Sequence, residues 1–406
     1  MLDANQTNIF TLLCSGQRAN IELAKTQAKA IRWDITAWLT ANNYHLFDLS
    51  SPDDFMLPSI RITDENADKI PLYLPKSITQ MRVINYTKAK LFSYFPKGIT
   101  HLYCSFIALE ELPDDLPQSL VFLECRNNPI QKLPDNLPPK LRHLDCSNSQ
   151  IKELPDYLPP TLGFLDCSRN QISSLKPYDL PLLWSLDCSY NQITALPNSI
   201  SQNLYYLNAE ANQLTELNNE FASDLISLNI NSNYFTEIPS SLPDSLAYIS
   251  CNNNQIKHLN SRLPQYLGSL DCANNKISEL PPHLPEDIMY LNCNYNKISQ
   301  LPDNWGESLY VLDCRGNQLT TIPDSLIESL QELDARDNKI ASLVSLANSG
   351  LQQVKLSGNL FVSPPPFPEY MGWNKETLYG ETLYYNPLKG YESEYFHRHA
   401  YLYGKR

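Results

Sequence analysis

Glycine is scarce in this chain, with 12 among 406 residues, and no glycine-rich run could wrap a phosphate. No C-x-x-C pair occurs, which removes the usual spacing of a structural zinc site. No stretch reaches the ~20 apolar residues of a membrane-spanning helix. The start, MLDANQTNIF, has neither a basic cluster nor a long apolar run, so neither a transmembrane segment nor an ordinary signal peptide is expected. Basic residues are outnumbered, 31 against 44 acidic. The resulting net charge of −13 argues against nucleic acid and anionic membranes as partners. No nucleophile stands beside a base in a recognisable motif, so no catalysis, cofactor or metal is expected.

What the chain does have is a ruler of cysteines. Nine of its ten fall at 104, 125, 146, 167, 188, 251, 272, 293 and 314, so neighbours lie 21 residues apart and the one gap of 63 is three periods. Counting through the gap gives Ala209 and Ile230, and counting outward gives Val83, Ala335 and Leu356. The column therefore asks for a small or medium hydrophobe. Around it the unit reads L-x-x-L-x-C-x-x-N-x-I-x-x-L-P-x-x-L-P-x-x, as in LGFLDCSRNQISSL.

A fixed period of this size with this leucine pattern is the signature of a leucine-rich-repeat solenoid. The expected fold is a β-rich solenoid of 21-residue coils. Column positions recur from Val83 to Leu356, giving about fourteen full coils, with a degenerate first one around Ile62. The alternation in x-L-x-C-x is that of a half-buried strand. Each coil should add one short parallel strand ~4.8 Å from the next, with the cysteines stacked inward. Inward Cβ atoms at that spacing exceed the roughly 3.5–4.5 Å a disulfide prefers, so the thiols should stay free. Ten cysteines that do not pair by spacing fit a reducing compartment.

The asparagine three residues after the cysteine should turn inward and bond the turning backbone. Ile107 and Ser149 break that column, and weaker bonding is expected there. Repeated L-P-x-x-L-P should hold the outer side extended and polyproline-like. A thin convex side beside a concave parallel sheet gives an arc.

Three segments follow from these patterns. Residues 1–56 carry apolar residues at helical spacing, including Ile21, Ala24, Ala28, Ile31, Ile35 and Trp38, and should form a helical N-terminal cap. Residues 57–362 form the solenoid. Residues 363–406 are rich in tyrosine and short of leucine, which suits a C-terminal cap or a tail ordered by a partner.

The repeat L-P-x-x-L-P-x-x-L-x-x-L-x-C-x-x-N-x-I resembles the bacterial leucine-rich repeats of YopM-, IpaH- and SspH-type effectors. The resemblance covers roughly residues 57–362. It implies a solenoid whose concave strand face holds another protein and, for the effectors, delivery into a host cell by a non-classical route; otherwise a cytoplasmic location is expected. The ubiquitin-ligase domain of the IpaH and SspH types has no counterpart among these residues, so ligase activity is not implied.

Function should then reside in the outward, non-motif positions of the strands. Three residues before the cysteine runs a ring row: His101, Phe122, His143, Phe164, Ser185, Tyr206, Ser227, Tyr248, Ser269 and Tyr290. Large rings recur in every second coil, about 10 Å apart with gaps between them, and Trp184 widens the patch. Aromatic anchors are common interface residues. One residue before the cysteine runs an acid row that includes Asp145, Asp166 and Asp187 in consecutive coils. Like charges at that spacing repel by on the order of 1 kcal/mol even in water. Arg126, Arg142 and Arg169 are near enough to compensate them, or a basic partner does so. The expected function is a non-catalytic protein scaffold that binds on the concave face. The other class considered is a surface adhesin or glycan binder, since rings also stack on sugars.

Overall fold

The computed structural model describes residues 59–64, 79–88, 95, 98–198, 200–217, 222–239, 242–260, 262–303, 305, 308–343, 351–361, 374–378 and 381–385. The chain separates into two units, divided within residues 214–226.

The first unit holds eight strands: β1 (Ser59–Ile62), β2 (Gln80–Val83), β3 (His101–Tyr103), β4 (Phe122–Glu124), β5 (His143–Asp145), β6 (Phe164–Asp166), β7 (Ser185–Asp187) and β8 (Tyr206–Asn208). Each pairs in parallel with the next at a constant offset of one repeat, for example Phe122↔His143 and His143↔Phe164. Because the offset equals the sequence period, every column of the repeat becomes a straight row across the sheet.

The second unit repeats the arrangement with β9 (Ser227–Asn229), β10 (Tyr248–Ser250), β11 (Ser269–Asp271), β12 (Tyr290–Asn292), β13 (Val311–Asp313), β14 (Glu332–Asp334) and β15 (Gln353–Lys355). A hairpin of β16 (Asn374–Leu378) and β17 (Glu381–Tyr385) follows, and β17 pairs antiparallel with β15. That pairing occupies backbone groups that an open sheet edge would leave unmatched. The expected helical cap at 1–56 lies outside the described residues, as does the remainder of 363–406.

Packing follows the sequence rows closely. Leu120, Leu141 and Leu162 before the strand, Leu123 and Leu144 within it, and Ile130, Ile151 and Ile172 after it are buried completely or nearly so. All nine cysteines of the ruler are buried and free. Burial pushes their thiols far above the ordinary range, which removes the thiolate that reactivity requires.

The asparagine row forms a second internal ladder. Asn170 Nδ2 donates to Cys146 O at 3.0 Å and Cys167 O at 3.1 Å, while its Oδ1 accepts from Ile151 N at 3.0 Å. Asn275 repeats this with Cys251 O, Cys272 O and Ile256 N. Each side chain thereby joins two coils. Ser149 breaks the row with one long bond, Oγ to Ser147 O at 3.5 Å. At Ile107 the neighbouring Asn128 serves two donors instead, Ile107 N and Leu109 N.

Two local features differ from the sequence expectation. The residue two after the cysteine adopts positive φ in coil after coil, including Asn127, Asn148, Arg169, Tyr190, Ala211, Asn253 and Tyr295. The turn lets its N–H donate to the next coil, as Arg169 N does to Ser189 O at 2.8 Å and Tyr295 N to Arg315 O at 2.7 Å. Asparagine tolerates this region and Gly316 suits it, while arginine and tyrosine bear a cost there.

The outer side is also not uniformly extended. The carbonyl of the second proline in many coils accepts from the residue three later, as in Leu141 N to Pro138 O and Leu162 N to Pro159 O, so a tight turn launches each strand. In one coil a short helix replaces the extended path: α1 (Asp324–Ser329), in IPDSLIESL. That coil has no second proline, so its interior N–H groups remain available for helical bonding.

Candidate functional site

In the first unit the ring row is continuous, where spaced rings with gaps were expected. His143 lies between Phe122 and Phe164 with centroid separations of 4.0 and 4.2 Å and ring planes 8° and 1° apart. His101 extends the stack to Phe122 at 5.6 Å, and Tyr103 joins from the acid row at 5.0 Å. Histidine is flat and aromatic, so it fills the space that a count of large hydrophobic rings leaves empty. Burial between the phenyl groups lowers the His143 pKa from 6.5 to about 4. The ring is therefore neutral at ordinary pH.

At Ser185 the row would break, but Trp184 turns into the gap. Its ring stands 5.9 Å from Phe164 and 6.3 Å, edge-on, from Tyr206. Gly163 makes this possible: a Cβ there would meet Trp184 Nε1 at 3.1 Å and Cδ1 at 3.2 Å. Rings thus run without interruption from β3 to β8, each only partly buried. In the second unit Tyr248 and Tyr290 flank Ser269 in register, so their rings stay separated by a hydroxymethyl group.

The acid row is not the solvated row expected from sequence. Asp145 is 8% exposed, and the carboxylates bond to their own coil. Oδ1 of Asp145 accepts from Ser147 N and Oγ at 3.0 and 2.7 Å. Asp166 uses Ser168 N and Oγ at 3.0 and 2.6 Å, and Asp187 uses Ser189 at 2.9 and 2.6 Å. The serine one after the cysteine carries this bonding, and the recurrent D-C-S triplet is the sequence signal for it.

Compensation by arginine is correspondingly partial. Arg126 Nε sits 3.2 Å from Glu124 and 3.8 Å from Asp145. Arg169 lies 4.2 Å over the Tyr190 ring, and Tyr190 Oη donates to Glu210 at 2.9 Å. Arg142 is exposed. Asp166, in the middle of the row, has its pKa raised from 3.8 to about 7. Burial is the main cause, with Asp187 and Asp145 adding to it and the Ser168 bonds opposing.

The second unit dilutes its carboxylates with amides. Asn252 Nδ2 donates to Asp271 Oδ2 at 2.7 Å, and Asn294 Nδ2 to Asp313 Oδ2 at 2.8 Å. Arg336 grips Asp334 with Nε and Nη2 at 2.9 and 2.6 Å. Of the candidate residues, Phe122, Phe164, Trp184, Tyr206, Asp145, Asp166, Asp187 and Arg126 gather on the strand face of the first unit. Arg169 belongs to the neighbouring turn row, and Tyr248 and Tyr290 to the second unit.

No protein-family profile and no curated protein matches the sequence. Among solved structures, the leucine-rich effector YopM of Yersinia pestis is 27% identical with a TM-score of 0.60, over 81% of this chain and 95% of that one. YopM of Yersinia enterocolitica is 25% identical with a TM-score of 0.53, over 82% and 98%. A leucine-rich-repeat protein of Leptospira interrogans is 25% identical with a TM-score of 0.59, over 72% and 77%. The chain is a leucine-rich-repeat solenoid similar in fold to YopM and to other bacterial repeat proteins.

Proposed function

We propose that this protein is a non-catalytic scaffold that holds another protein on the outward strand face, with the first unit as the principal contact. One observation carries the reading: the unbroken row of partly exposed rings from His101 to Tyr206, set on a backbone whose other rows are committed to packing. Such rings, rigid and low in entropy cost, are the anchors from which protein interfaces gain most of their energy. Tyr248 and Tyr290 offer a sparser patch in the second unit.

The likeness to YopM, described as an effector, supports delivery to a host cell as the setting in which the partner is met. A glycan ligand fits less well. Sugars stack on open ring faces, whereas the faces of Phe122, His143 and Phe164 are covered by one another and only their edges remain free.

Site-specific photocrosslinking tests the reading. With benzoylphenylalanine at Phe164, a discrete protein adduct should form that is absent when the probe replaces Tyr157, a more exposed residue of the connecting segment. Equal capture from both positions would count against a binding face.

A further inference from the structure

We infer, resting on the protein-interface reading above, that the segment held by the first unit is cationic: a lysine or arginine side chain seats on Asp166, between Asp145 and Asp187, while adjacent apolar side chains lie along the ring edges. The ring and acid rows run side by side, two residues apart along each strand, or about 6.7 Å. A single extended segment or helix face covers both.

The valences left open on this face ask for donors. Oδ1 of each aspartate is taken by its serine, as described above. Asp187 Oδ2 accepts from Asn208 Nδ2 at 2.9 Å, and Asp145 Oδ2 has Arg126 at 3.8 Å. Oδ2 of Asp166, between them, has no donor among the described residues. That open oxygen is an acceptor.

The nearest fixed cations are engaged elsewhere, Arg169 on Tyr190 and Arg126 chiefly on Glu124. The central rings Phe122, His143 and Phe164 do not offer a competing cation site, because their faces are stacked on one another and their exposed edges carry the positive end of the ring quadrupole. Cations therefore go to the carboxylates and apolar groups to the rings. In the second unit the same row is already satisfied by Asn252, Asn294 and Arg336, which confines the seat to the first. An arriving cation also favours the ionised form of Asp166, so binding should release a proton near neutral pH.

Fluorescence anisotropy on the full chain tests this with a labelled peptide of alternating lysine and leucine, about eight residues long to span β3 to β8. An alternating glutamate–leucine peptide of the same length serves as its counterpart. The lysine peptide should bind and the glutamate peptide should not. Asp166→Asn should weaken binding roughly tenfold and Asp271→Asn by less than about twofold. Affinity of the unaltered protein should rise between about pH 6 and 8, and this rise should vanish in Asp166→Asn. Equal losses in the two asparagine variants would reveal general charge attraction and overturn the proposal, as would failure of the lysine peptide to bind. If Phe122→Ala with Phe164→Ala abolishes peptide binding while Asp166→Asn leaves it intact, the cation seat is wrong and the interface reading stands.

Discussion

In the first unit the outward rows carry His101, Phe122, His143 and Phe164 beside Glu124, Asp145, Asp166 and Asp187. In the second the same rows carry Ser227, Tyr248, Ser269 and Tyr290 beside Asn229, Ser250, Asp271 and Asn292. Beneath both lies one scaffold, with the same offset between strands, the same buried cysteines and the same asparagine ladder. The first unit concentrates rings into a stack and carboxylates into a mutually repelling row. The second spaces its rings with serine and meets its carboxylates with donors, Asn252 at Asp271, Asn294 at Asp313 and Arg336 at Asp334. Because the packing rows are already satisfied, the outward rows can be rewritten without disturbing the coil, and the first unit has accumulated the larger electrostatic cost there, since Asp166 is raised to about 7 while amide donors oppose the rise at Asp271 and Asp313. Local destabilisation of this kind is what a binding face retains when a partner relieves it.

The largest expected effect bears on what the units share. Asn170→Ala strands Ile151 N, Cys146 O and Cys167 O in the interior, and Asn275→Ala strands their equivalents. Unsatisfied buried groups cost 1–3 kcal/mol each, so either variant should lose about 3 kcal/mol or more in urea denaturation. Similar losses from the two confirm one scaffold. A loss in one alone breaks the comparison at its base.

The scaffold was legible in the sequence because its physics repeats. A row that must be buried in every coil, or must bond two coils, tolerates few residue types, and the 21-residue period makes that restriction visible at Cys167 and Asn170 alike. The turn row two after the cysteine escaped notice because backbone bonding, not side-chain chemistry, imposes its positive φ; arginine at 169 and tyrosine at 190 comply at a cost and mask the preference for asparagine and glycine. The acid row was misjudged for a related reason. Pairing was sought from arginines at a distance, whereas the serine two residues on already supplies two donors to each aspartate. In the ring row, His143 stood in one of the gaps expected between large rings, and it is the layer that joins the phenyl groups.

The next effect separates the acid rows and depends on pH. Burial holds the Asp166 carboxyl near 7 in the folded chain against an ordinary 3.8. The fold is therefore favoured below about pH 4, where the group is protonated in both states, and loses that advantage as pH rises to about 7. Asp166→Asn keeps an oxygen for Ser168 and removes the buried charge. It should stabilise the protein by about 2 kcal/mol at pH 8, and that gain should disappear near pH 4. Asp271→Asn should gain less, since Asn252 already donates to the carboxylate it would replace. Matching pH profiles for the two variants would erase the electrostatic distinction between the units.

The smallest effect converts one unit toward the other. Ser269 stands between Tyr248 and Tyr290 in the register that His143 holds between Phe122 and Phe164. Ser269→His should therefore close the gap and stack with both phenols, adding about 1 kcal/mol at pH 8. Its acid behaviour provides the diagnostic. His143 has a folded pKa of about 4 against an ordinary 6.5, so it stabilises the fold above about pH 6.5 and that contribution is lost as pH falls toward 4. A histidine enclosed at position 269 should acquire the same acid-sensitive gain, whereas one that swings into solvent adds no stability at either pH. The second outcome would mean that the stack in the first unit depends on the width and planarity of phenylalanine, and that register alone does not build a ring row.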